Sequence, residues 1–260
     1  MFKPTAQLSD WLMFEYESPF SLQAYLAMTQ SFSPYQLNPL NYNPLRELLV
    51  KTVDFDGLQK SADIKLFIGA TQVRTGKLHI FNNAQLSVDA LLASACLPSI
   101  HHAVTINGEA YWDGGYTGNP PVYPLIFNCQ GSDVLIVVVQ PLQREKLPVT
   151  AEEIRMRAAE LSFNTAFLRE MRAIAFSKEY IDKDWLPLGK LERMLNRLNI
   201  HMVENANVVS DTDASSRYGS PPEFIQLLHD EGYDCCSQWL KNNCANIGKQ
   251  STVNLQEVFN

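Results

Sequence analysis

Ala110-Tyr111-Trp112-Asp113-Gly114-Gly115-Tyr116-Thr117-Gly118-Asn119-Pro120-Pro121 places one carboxylate where an extended segment gives way to a turn. The two glycines behind Asp113 let other groups approach the carboxylate closely, and turns of this kind carry chemistry. An Asp-Gly pair is also ordinary turn chemistry, its side chain accepting nearby backbone N–H groups. The flanking chain weighs against that plainer reading. Upstream, Ser94-Ala95-Cys96-Leu97-Pro98-Ser99 ends a short helical pattern. Residues 104–112 then read as a hairpin about Asn107-Gly108, the two residues that accept the positive φ of a type I′ turn. Downstream, residues 133–139 are a nearly unbroken apolar run.

That run is apolar on both faces, which marks a strand covered by helices on both sides and a parallel α/β sheet. Residues 64–73 read as a strand, turned by Thr75-Gly76 into a second over residues 77–81 with period-two alternation. Ser87 is the expected N-cap of a helix over residues 88–96, and Pro98 stops it. Thr150-x-x-Glu153 is a capping box that opens a helix reaching about residue 180. Ile154, Ala158, Leu161, Leu168, Met171 and Ala175 fall near one face of it. A helix over 188–198, a strand over 200–203 and a helix over 222–239 complete that half. Residues 1–50 are rich in aromatics and punctuated by proline, with a short helix expected over 18–28 and an irregular loop over 33–40. Pro44 opens a helix over residues 45–50. No repeat, low-complexity tract or linker divides the chain, so residues 1–260 are read as a single domain.

Composition narrows the classes. The chain has 260 residues, 46% hydrophobic and 19% charged, enough for a sizeable core and unlike a disordered segment. A net charge of -7 leaves no basic field for nucleic acid. The aliphatic run is too short to cross a bilayer, and the N-terminus lacks the apolar stretch of a secretory signal. The five cysteines, Cys96, Cys129, Cys235, Cys236 and Cys244, have no C-x-x-C spacing. They read as free thiols in a reducing, cytoplasmic setting. His101-His102 is the sole histidine pair and has no zinc-type spacing, so neither metal nor cofactor is expected.

The ordered series of helix, proline, hairpin, Asp-Gly-Gly, Asn-Pro and strand resembles the second half of the patatin-like phospholipase domain. The likeness runs from about residue 33 to 239 and is densest over 64–139. It implies an α/β fold of three layers, helix–sheet–helix, with a mostly parallel central sheet. It also implies a Ser-Asp dyad without histidine, in which Asp113 is the general base. Gly114 and Gly115 would keep the loop close-packed and Asn119 would brace it. Two features of the family are missing: there is no G-x-S-x-G nucleophile turn and no G-G-G-x-R-G-like oxyanion loop. The domain is therefore expected to be N-terminally incomplete, lacking the first strand, the oxyanion loop and the nucleophile elbow. No other serine replaces the nucleophile. Ser220 precedes Pro221, which has no N–H to offer an oxyanion, and Ser94 and Ser99 have no flanking glycines.

The resemblance implies a lipid acyl hydrolase, a phospholipase or esterase, to which this chain contributes Asp113. The absent nucleophile supports two alternatives: a non-catalytic remnant or regulatory, binding subunit, and one half of a split enzyme. An upstream reading frame encoding G-x-S-x-G would separate them. The partners expected are a lipid or acyl-ester substrate, peripheral membrane contact, and self-association or a complementing N-terminal segment, with no nucleic acid.

Overall fold

Local turn and cap chemistry builds the first half of the fold. The computed structural model describes residues 28–29, 31–61, 63–139, 141–144, 146–183, 189–204 and 222–260. The helix expected over 18–28 lies outside them but for Met28, and so does Ser220. The loop expected over 33–40 contains one helical turn, α1 (Pro34–Leu37), with Ser33 and Gln36 forming its capping box. Pro44 opens α2 (Pro44–Thr52) as expected, behind an Asn43 cap whose side chain accepts the Leu45 N–H. A short α3 (Phe55–Lys60) follows, capped by Asp54.

Strands β1 (Phe67–Gln72) and β2 (Lys77–Asn82) pair antiparallel, Phe67 opposite Asn82 and Gln72 opposite Lys77. Gly76 takes the turn at φ 65°, a conformation open to glycine at no steric cost. Ser87 caps α4 (Val88–Ser94), accepting the Ala90 N–H. Asn107 and Gly108 adopt φ of 52° and 82°, joining β3 (Val104–Ile106) to β4 (Glu109–Asp113) through the expected two-residue turn. The resulting four-stranded sheet has the order β2-β1-β4-β3, antiparallel throughout. Ala70, Phe81 and Tyr111 of the sheet pack on Ala90 and Ala93 of α4.

The second half is helical around a parallel pair. α5 (Tyr123–Asn128) leads into β5 (Asp133–Val138), and Thr150 and Glu153 form the capping box that opens α6 (Ala151–Lys183). After α7 (Lys190–Asn196), β6 (Asn199–Glu204) pairs parallel with β5, Asp133 opposite Asn199 and Val138 opposite Glu204. α8 (Pro222–Asn243) and α9 (Leu255–Phe259) close the chain. The core here is Val134 and Ile136 of β5, Ile200 of β6, Phe167, Met171, Ile174 and Ala175 of α6, and Leu255 and Phe259 of α9.

The class is α/β, with three corrections to the sequence reading. In place of one mostly parallel central sheet there are two: β5–β6 is parallel, and β1 to β4 form a separate antiparallel sheet of two hairpins, β1–β2 and β3–β4, in which β1 and β4 pair across the connection that carries α4. β5 is not covered on both sides: Leu135 is 48% exposed and Val137 66%, while Val134 and Ile136 are buried. The predicted face of α6 is buried only in its later half. Met171 and Ala175 are in the core, but Ile154 and Leu161, near the start of the helix, are both exposed.

Candidate active site

Asp113 is the last residue of β4, opposite Ala70 of β1. Its N–H donates to the Cys96 carbonyl at 2.8 Å, so the loop leaving α4 fixes where the strand ends. Beyond it, Gly114–Tyr116 form a single 3-10 turn. Asp113 Oδ1 accepts the Gly115 N–H at 2.7 Å, capping that turn. The second oxygen, Oδ2, accepts no hydrogen bond from the described residues. One oxygen is therefore anchored and the other is available to take a proton, the arrangement a general base requires.

The electrostatics point the same way. Burial pushes the Asp113 carboxyl above the ordinary carboxylate range, and the Gly115 N–H partly opposes that rise. Cys96 is 1% exposed and its thiol donates to the His102 carbonyl. Its pKa is raised, first by burial and further by the negative charge of Asp113 nearby.

Both glycines are fixed by close approach. A β-carbon on Gly114 would run into the Gly69 carbonyl of β1, a backbone group that cannot rotate away. One on Gly115 would enter the Phe163 ring of α6, which also stacks edge-on with Tyr116 at 5.3 Å between centroids. Asn119 is half-buried, and its side chain makes no hydrogen bond to the described residues. It precedes Pro120 in a cis peptide bond.

None of the other residues singled out in the sequence is hydrogen-bonded to Asp113 Oδ2 among the described residues. Ser94 Oγ donates to the Leu91 carbonyl of its own helix, and Ser99 is an exposed turn residue. His102 Nε2 lies 3.1 Å from the Pro34 carbonyl and its ring rests on Tyr35. Glu109 is held by Arg74, Nη2 to Oε1 at 2.6 Å. Among the described residues no group of three or more His, Cys, Asp or Glu side chains is placed to hold a metal. Among them too, no helix is long and apolar enough to cross a membrane.

Four contacts around the site carried no sequence signal: Thr71, the Cys96 carbonyl, Phe163 and Glu170. Glu170 of α6 accepts the Val122 N–H at 3.0 Å and the Tyr123 N–H, and so holds the start of α5. These partners lie far along the chain from the motif they support, and only the folded arrangement brings them to it.

The patatin-like phospholipase family model matches residues 5–126. The match begins ahead of residue 33 and stops short of 239, and it takes in β1 to β4, Asp113 and both glycines. No curated protein matches the chain. Over residues 5–126, the chain's likeness is thus to patatin-like phospholipases, a family of lipid hydrolases.

Proposed function

We propose that this chain supplies the general-base aspartate, Asp113, of a Ser-Asp acyl hydrolase that acts on phospholipid or simpler acyl esters. The observation that carries the reading is the Asp113 carboxyl itself, with Oδ1 fixed by the Gly115 N–H, Oδ2 without a hydrogen bond among the described residues, and its pKa raised by burial. In such a dyad the serine hydroxyl passes its proton directly to Oδ2 as its oxygen attacks the ester carbonyl. Gly114 and Gly115 keep the turn against β1 and Phe163, whereas Asn119 makes no side-chain hydrogen bond to the described residues that would brace it. A cytoplasmic setting is part of the proposal and rests on the five cysteines, all free thiols.

A second reading has its own support. The sequence has no G-x-S-x-G turn, so a binding or regulatory role without turnover, or one half of a split enzyme, remains part of the proposal. One experiment separates them. A polypeptide carrying a glycine-rich oxyanion loop and a G-x-S-x-G turn is added in trans or fused ahead of the chain, and hydrolysis of p-nitrophenyl esters is measured. The chain alone is expected to be inactive. With the added segment, Asp113→Asn should lower the rate on the order of a hundredfold or more. Glu109 should not rescue it, being held by Arg74. The variant should keep or slightly raise its stability at neutral pH. A carboxyl whose folded pKa is raised costs stability as pH rises from its unfolded value through the folded one, and an amide removes that cost. An unchanged rate for Asp113→Asn would overturn the dyad.

A further inference from the structure

We infer that Thr71 is a positioning residue for the Asp113 carboxylate, its hydroxyl tying both ends of the 3-10 turn to β1. The inference rests on the reading of Asp113 as a general base. Thr71 is 5% exposed and stands opposite Trp112 in the β1–β4 register. Its Oγ1 lies 2.7 Å from the Asp113 carbonyl and 2.9 Å from Thr117 Oγ1.

The direction of this relay follows from counting hydrogens. A carbonyl only accepts, so the single hydroxyl hydrogen of Thr71 goes to Asp113. Thr71 Oγ1 must then accept from Thr117, whose hydroxyl donates. The chain runs Thr117 to Thr71 to the Asp113 carbonyl, and the three residues Gly114–Tyr116 lie between its two anchored ends. Within that turn the Thr117 and Gly118 N–H groups return to the Gly114 carbonyl, and the Gly115 N–H holds Oδ1. Fixing residues 113 and 117 to one buried hydroxyl therefore sets the rotation of the carboxylate. Of the ionisable groups around it, the Cys96 thiol is coupled to Asp113 by charge and donates its own hydrogen to His102.

Thr71→Val keeps the shape and removes the hydroxyl, and Thr71→Ser keeps the hydroxyl. The carboxyl carbon of Asp113 is followed by NMR against pH in the wild-type chain and both variants, with Asp113→Asn to assign the signal. Exchange of the Gly115 amide is followed alongside it. In the wild type the carboxyl should titrate above the ordinary carboxylate range. Thr71→Ser should reproduce that curve, while Thr71→Val should move it back by half a pH unit or more and speed Gly115 exchange at least tenfold. Thr117→Ala, which removes only the outer donor, should do the same to a smaller degree and serves if Thr71→Val does not fold. A Thr71→Val or Thr117→Ala chain with wild-type titration and wild-type Gly115 exchange would overturn the inference. These readouts need no turnover, so they fail separately from the Asp113→Asn rate test.

Discussion

Around Asp113 the backbone of the turn packs closely against β1, whereas β5 turns Leu135 and Val137 outward. In the antiparallel sheet, Ala70 and Tyr111 are buried, Gly114 touches the β1 backbone and Thr71 carries two hydrogen bonds. In the parallel pair, Val134 and Ile136 are buried while Leu135 and Val137 are exposed. The two regions are joined through α6, whose Phe163 covers Gly115 and whose Glu170 holds the start of α5. The difference lies in where each sheet finds its partners. Two hairpins and the α4 connection between them bring β1 to β4 together within about fifty residues of chain, whereas β5 and β6 are joined by a crossover that carries α6 and α7. A sheet closed by local turns can be complete within a short segment. A parallel pair of two strands is a small sheet by any measure. On the face of Leu135 and Val137, His201 and Val203 of β6 are buried and only β5 is open to water.

The largest predicted effect tests how tightly the first region is closed. Gly114→Ala places a methyl group against the Gly69 carbonyl, and neither β1 nor β4 can move without breaking the ladder between them. Overpacking of this kind typically costs about 1–3 kcal/mol and more where backbone must shift. We expect about 3 kcal/mol, read as a fall in the urea midpoint with an unchanged slope. Gly131→Ala, where nothing lies within 4 Å, is the matched control and should change stability by no more than about 0.5 kcal/mol. Equal effects at the two positions would mean that the close approach is not what requires glycine at 114.

The same division governs what the sequence discloses. Asn107-Gly108, Ser87, Pro44 and the Thr150–Glu153 box each act on neighbours within a few residues, and each appears in the structure where the sequence placed it. The strand end at Asp113 and the turn of the two glycines behind it were legible, since a strand ending at Asp-Gly-Gly is local chemistry, and the catalytic role of Asp113 is the proposal. The reason for Gly115 was not, because Phe163 stands some fifty residues downstream. The apolar run over 133–139 marked a strand correctly but not its surroundings. Its composition reports which faces avoid water, and it cannot report whether a covering element is present.

The next effect belongs to the second region. His201 is 2% exposed, with Nε2 2.9 Å from Asp133 Oδ1 and Nδ1 3.1 Å from Thr252 Oγ1. Asp133 also accepts from the Gly248 N–H, Ser132 Oγ and Asn199 Nδ2, so β5, β6 and the segment before α9 meet at one carboxylate. The His201 contact above all, then the other donors, hold its pKa well below the ordinary carboxylate range. A depressed folded pKa gives stability that is present above the unfolded value and lost as pH falls from about 4 toward the folded one. Asp133→Ala leaves His201 buried without its partner and should cost on the order of 2 kcal/mol at pH 7. The gap from wild type should narrow on acidification below about pH 4, as the wild type loses what the variant never had. A gap that stays constant across that range would show that packing, not charge, supplies the stability.

The smallest effect on stability tests the open face of β5. Leu135 and Val137 project from an apolar strand and offer a surface that water must cover in an isolated chain. The chain is therefore predicted to self-associate or to be poorly soluble, since exposed apolar side chains grouped in this way invite contact with a second copy. Val137→Thr keeps the β-branched shape and adds a hydroxyl, so it should change the thermal midpoint little while reducing association. Sedimentation velocity over a range of concentrations separates the two quantities. Wild type should sediment faster as concentration rises, and the Leu135→Thr, Val137→Thr double variant should shift toward a single monomeric boundary. The matched control is Val50→Thr on α2, 61% exposed against 66% for Val137 but on a helix whose strand-pairing capacity is nil. A wild-type chain that stays monomeric throughout would show that the exposed face of β5 attracts nothing. The contrast between the two sheets would then be one of burial alone.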